Sequence, residues 1–117
     1  MTRNAPSAGE AELLEKVNEM TSPFDEMGRQ IHEIVSSTAP TLTPRTWYGM
    51  PAYEQDGKTV CFFRQDDSYM TFGFTEKVDL VPDEKANHQL IPAAWFVTDL
   101  DEATKAELAE IVQQIAE

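Results

Sequence analysis

Cysteine is nearly missing from this 117-residue chain. Cys61 stands alone, which excludes an internal disulfide framework and any metal site built on several cysteines. Glycine is scarce as well, with five residues, and no G-x-x-x-x-G-K-[ST] or G-x-G-x-x-G run exists to cradle a phosphate. A G-x-S-x-G nucleophile elbow is also lacking. Histidine is limited to His32 and His88, without the H-x-x-x-H or H-E-x-x-H spacing of a zinc site. No apolar run approaches the roughly 18–20 residues of a membrane helix. The opening MTRNAPSAGE has no apolar core of the kind a secretory leader needs, so a cytoplasmic protein is expected. Basic residues are few: nine Lys+Arg face 21 Asp+Glu, a net charge of −12. Such a field repels nucleic acid and anionic lipid, so neither is an expected partner. It suits a metal cation or a basic protein, although charged faces are usually just solvated and acidity that keeps the chain soluble is the simpler reading.

What is present fits one domain over residues 1–117, with 1–9 polar and flexible. Ser7 and Glu10 have capping-box spacing, and Leu13, Leu14 and Val17 recur at helical spacing, which predicts a helix from about 8 to 20. Ser22 is placed to cap a second helix with Pro23 at its first position; Phe24, Met27, Ile31, Ile34 and Val35 form its apolar stripe, ending near Ser37 or Thr38. Pro40 and Pro44 then break the helical pattern, and the period shifts to two. Strands are predicted over 46–53, 59–64, 69–74 and 93–97, with Asp56-Gly57 as a tight turn. Pro51 suggests an edge or a bulge in the first of these. Residues 76–91 read as a charged connection with a short helix near 76–80 or 82–87. Asp99 and Glu102 repeat the capping spacing ahead of an amphipathic helix carrying Leu108, Ile111, Val112 and Ile115. The expected fold is α+β: one antiparallel sheet of four or more strands, with the N-terminal helices and the C-terminal helix packed on one face.

Tyr48-Gly49-Met50-Pro51-Ala52-Tyr53, then Asp56-Gly57-Lys58 and Val60-Cys61-Phe62-Phe63, resembles the YdhG-like family of bacterial proteins of unknown function. His32, the Ala39-Pro40 step and Thr71-Phe72-Gly73-Phe74 fit the same pattern, so the resemblance spans roughly 22–115. It implies a frataxin-like layout. Some members have been described as frataxin-like iron chaperones, which implies weak iron binding on an acidic ridge; the candidates are Glu10, Glu12, Glu15, Glu19, Asp25 and Glu26. Of these, Glu12, Glu15 and Glu19 share one helix face. Without a histidine they make at best a weak, exchangeable cation site, and a solvated helix face is the alternative.

The aromatic strand offers a different use. In a strand over 46–53, Trp47, Gly49, Pro51 and Tyr53 point one way, and Thr46, Tyr48, Met50 and Ala52 the other. One side meets the helices; the other, with residues of neighbouring strands, is placed to form a hollow for a ligand or a second subunit. Its candidate members are Trp47, Tyr48, Met50, Tyr53, Phe63, Tyr69 and Trp95, and a core strand with a bulge is the alternative. Cys61 lies in an apolar strand with no base beside it and reads as an inert core thiol. Asp66-Asp67 and Asp99-x-Asp101 fall where turns and caps already account for them. With no catalytic constellation, the expectation is a non-enzymatic binding or carrier protein, with iron implied only by the resemblance. The alternative is a module that binds a small molecule or a protein, homodimerisation included.

Overall fold

The computed structural model describes residues 7–75, 77 and 85–116. The elements run α1 (Ala8–Asn18), α2 (Phe24–Thr38), β1 (Thr43–Trp47), β2 (Met50–Gln55), β3 (Lys58–Gln65), β4 (Met70–Phe74), β5 (Ala94–Val97) and α3 (Glu102–Ala116). Every strand pairs antiparallel with the next in sequence, giving one five-stranded meander. The helices pack on one face of it, as the period shift along the sequence predicts. Among the described residues, no helix is long and apolar enough to cross a membrane.

Local chemistry explains most of these boundaries. Ser7 caps α1, its Oγ accepting from the Glu10 N–H at 3.1 Å. Leu13 and Val17, one turn apart, are fully buried on the face turned to the sheet. At α2 the cap is Pro23 rather than Ser22, and no side chain bonds to it; the Phe24 N–H donates instead to the Thr21 carbonyl. The linker between the two helices is tied to the end of β3. Gln65 accepts from the Thr21 N–H at 2.9 Å and donates to Thr21 Oγ1 at 2.6 Å.

The strand expected over 46–53 is two strands, β1 and β2, folded on each other. Tyr48 (φ 52°) and Gly49 (φ 75°) both take left-handed backbone, the signature of a two-residue type I′ hairpin that leaves Trp47 opposite Met50. Asp56 (φ 53°) and Gly57 (φ 79°) form the equivalent turn between β2 and β3. Asp-Gly announces such a turn, whereas tyrosine is seldom found left-handed, which is why only the second turn is legible in the sequence. The reversal replaces the predicted alternation: Trp47 and Met50 share one face, Pro51 and Tyr53 the other. Pro51 sits in the second of five strands, but the pairing with β3 begins only at Ala52, and a register shift follows at Tyr53/Glu54. The predicted short helix at 76–80 or 82–87 falls largely outside the described residues; residues 85–88 are turn and bend.

The α3 cap is also displaced from its predicted place. Asp101, not Asp99, accepts from the Thr104 N–H at 2.8 Å, while Asp99 accepts from the Leu100 N–H. The side-chain and backbone hydrogen bonds from Thr104 hold the Asp101 carboxyl below its ordinary 3.8. Its contribution is therefore present above that ordinary value and is lost as pH falls through the lowered one. Asp101→Asn retains an acceptor without the charge. In thermal melts from about pH 7 to about pH 2, wild type is expected to exceed the variant at neutral pH and to lose that advantage at the acid end.

The core lies between helices and sheet. Tyr53, Cys61, Phe63, Met70, Phe72 and Val97 meet Leu13, Val17, Ile31, Val35, Leu108 and Val112. Phe63 and Phe72 stand opposite each other in register and are both fully buried.

Candidate functional site

Among the described residues, no helix packs on the sheet's second face. Arg45, Ala52, Phe62, Gly73 and Ala94 lie in register across all five strands and share that face. Trp47 and Met50, followed by Arg64, Thr71 and Phe96, make the next row along the strands, all on one side of the first. Small residues make its floor: a Cβ on Gly73 would sit 2.9 Å from Phe62 Cζ, so the Phe62 ring lies flat over the glycine. The Trp47 ring centre is 5.5 Å from that of Phe62 and 4.8 Å from that of Tyr48. Tyr69 and Phe96 make a second pair, 4.6 Å apart. Tyr48 is 84% exposed and Phe96 70%, unusually high for aromatic side chains.

Two ion pairs lie on this face. Arg45 Nη1 lies 2.7 Å from Glu54 Oε2, and Arg64 Nε lies 3.3 Å from Asp66 Oδ1. The other Asp66 oxygen accepts from the buried Thr71 hydroxyl. The surplus of carboxylates sits instead on the helices, at Glu12, Glu15, Glu19, Asp25, Glu26 and Glu33 and along α3.

The predicted aromatic set is divided between the two faces. Trp47 and Met50 lie on the helix-free face, Tyr69 leans on Phe96 there, and Tyr48 projects from the β1–β2 turn. Tyr53 and Phe63 are core residues on the helix side, and Trp95 packs edge-to-face on Phe74 with centres 5.0 Å apart. The β1–β2 reversal and the period of two separate them, and no single hollow gathers all seven. Phe62 and Phe96 take the vacated places. Each belongs to an adjacent aromatic pair, Phe62-Phe63 and Trp95-Phe96, in which one ring must face each way. Gly73 opposite Phe62 is the one sequence signal that could have indicated which.

On the helix side lies a polar cluster that pattern reading did not connect. His32 Nδ1 is 2.7 Å from the Tyr53 hydroxyl, and His32 Nε2 is 2.7 Å from Glu10 Oε2. The geometry suits one order of bonding: Nε2–H donating to the carboxylate and the phenol donating to Nδ1. Burial first, then the nearby Cys61 and Glu10, push the Tyr53 phenol well above its ordinary 10, so it stays protonated and able to donate. The order hydroxyl–imidazole–carboxylate is that of an activated nucleophile. Tyr53, however, is only 1% exposed, so no substrate reaches its oxygen. The cluster joins α1, α2 and β2 instead. Cys61, opposite Tyr53, is fully buried, and burial pushes its thiol up to about 12, which leaves it unreactive in the folded chain.

The carboxylates that the resemblance nominates for iron do not make a ligand set. Glu12, Glu15 and Glu19 are exposed along α1, and Glu19 is 3.8 Å from Lys16. Glu10 is committed to His32. Among the described residues, no group of three or more His, Cys, Asp or Glu is arranged to hold a metal ion. Compared with protein-family models, curated proteins and solved structures, the chain gives no significant match.

Proposed function

We propose that this chain is a small non-enzymatic binding protein whose working surface is the helix-free face of its sheet. The observation that carries the reading is the pairing of exposed aromatics with local charge balance on that face, in a chain otherwise strongly acidic. A broad surface of Trp47, Tyr48, Phe62, Tyr69 and Phe96 suits another protein better than an enclosed small ligand. A second copy of the chain is the favoured occupant. Two sheets stacked about 10 Å apart would bury both aromatic faces and leave the acidic helices outermost, where their repulsion is weakest. Iron delivery by the α1 carboxylates, which the YdhG-like resemblance implies, lacks comparable support, since those side chains are spread along an exposed helix.

Analytical sedimentation tests the proposal. At micromolar concentration, a species of twice the 13.2 kDa chain mass is expected, and Phe96→Glu should return it to the monomer. A 13.2 kDa species at every concentration reached would overturn the assignment of a second copy. Dimers that ignore the Phe96 substitution would place the contact elsewhere.

A further inference from the structure

The far edge of β5 and the groove beneath it offer a second feature, which shares Phe96 with the helix-free face. The Phe74 N–H donates to the Ala93 carbonyl at 2.7 Å, and Phe72 stands opposite Trp95. In an antiparallel ladder the bonded pairs alternate, so Trp95 turns its backbone groups toward β4, while Ala94 and Phe96 turn theirs outward. Among the described residues, no strand pairs with that outer edge. Such an edge is a ready template for another strand.

Below the edge, Trp95, Phe96 and Val97 of β5 and Glu107, Leu108 and Ile111 of α3 are among the residues lining a mostly apolar groove of about 130 Å³. A buried apolar cavity of about 150 Å³ accepts benzene, so there is room for one aliphatic or aromatic side chain. The surroundings are acidic. α3 carries Glu102, Glu107 and Glu110 against Lys105, and Lys105 is held 3.4 Å from Glu102; Asp99 and Asp101 precede the helix.

We propose that β5 receives an extended segment of another protein as a sixth strand, one that alternates apolar and basic residues. Its main chain bonds to Ala94 and Phe96, an apolar side chain enters the groove beside Trp95, and a flanking Lys or Arg meets Glu107. Main-chain bonding supplies the attachment, while the groove and the carboxylate select the sequence. An acidic strand would be repelled by α3, and a second copy of this chain would add its own net charge of −12 to the same edge.

The probe is a synthetic peptide of alternating lysine and valine, titrated into the isotope-labelled full chain while its amide resonances are followed. Shifts centred on Ala94–Val97 are expected, with slower hydrogen exchange at the Ala94 and Phe96 amides. An alternating glutamate–valine peptide should leave them unchanged. Glu107→Lys is expected to weaken the lysine peptide by roughly fivefold, the upper range for one exposed ion pair. Ala94→Pro removes an outward donor at the first residue of an edge strand, where proline is tolerated, and should abolish binding with the fold retained. Equal response to both peptides, shifts on α3 without protection of β5, or no shift would each overturn the proposal. Protection of Ala94 and Phe96 that grows with protein concentration alone would assign the edge to a second copy and overturn it too.

Discussion

Replacing His32 by alanine is expected to lower the unfolding free energy by about 3 kcal/mol, from one hydrogen bond to a charged group at roughly 1.5–3 kcal/mol and one to a buried phenol at about 1 kcal/mol. The imidazole bridges Glu10 and Tyr53, and the side chains of His32 and Glu10 are 8% and 14% exposed. Removing it deprives the buried phenol of this acceptor and the Glu10 carboxylate of this donor, in a low-dielectric setting where a lost polar contact is costly. The melting temperature should fall by on the order of 10 °C for a domain of this size. Tyr53→Phe, which leaves only Nδ1 without its donor, should cost about 1–2 kcal/mol. Urea unfolding of the wild type and both variants measures all three. A loss below about 0.5 kcal/mol for His32→Ala would mean that the cluster does not hold α1 and α2 to β2.

The second large effect separates the two faces of the sheet. Phe63→Ala is expected to cost about 3–5 kcal/mol, because the ring is fully buried opposite Phe72 and beside Tyr53, with centres 6.4 Å apart. The Cε2 of the same ring lies 3.5 Å from where a Cβ would be on Gly28, so α2 rests directly on it. Little can collapse into the space left behind. Phe96→Ala removes the same side chain from the opposite face, where it is 70% exposed, and should change the stability of the monomer by no more than about 0.5 kcal/mol. Equal losses at the two positions would contradict a sheet whose described helices cover one side only. The comparison is best made at low protein concentration, so that assembly through Phe96 adds nothing to the apparent stability.

Sequence reading reached the helices because each carries its own 3.6-residue stripe and, at α1, a serine cap at the right offset. It reached the β2–β3 turn because Asp-Gly is local chemistry. It missed the β1–β2 turn because Tyr48 takes a conformation its side chain disfavours, and that single reversal changes which residues share a face. It identified the α3 start to within two residues but chose Asp99 over Asp101, since both have the right composition and only the backbone distinguishes them. The His32 cluster was beyond it for another reason. Its partners lie 21 and 22 residues away, on a strand and on another helix, and nothing local specifies that they converge. Of the aromatics on the helix-free face, Trp47, Tyr48 and Tyr69 were legible in the sequence. The choice between Phe62 and Phe63, and between Trp95 and Phe96, required the register of the sheet.

The most direct test of the one-sided sheet is solvent accessibility measured ring by ring, with a neutral soluble gadolinium chelate added to the dilute protein and line broadening read on the aromatic protons. Strong broadening of Tyr48 and Phe96, with Phe63 and Phe72 unaffected, is the predicted result. Equal protection of Phe96 and Phe63 in the monomer would show the second face to be covered, and would remove the surface on which the proposed function rests.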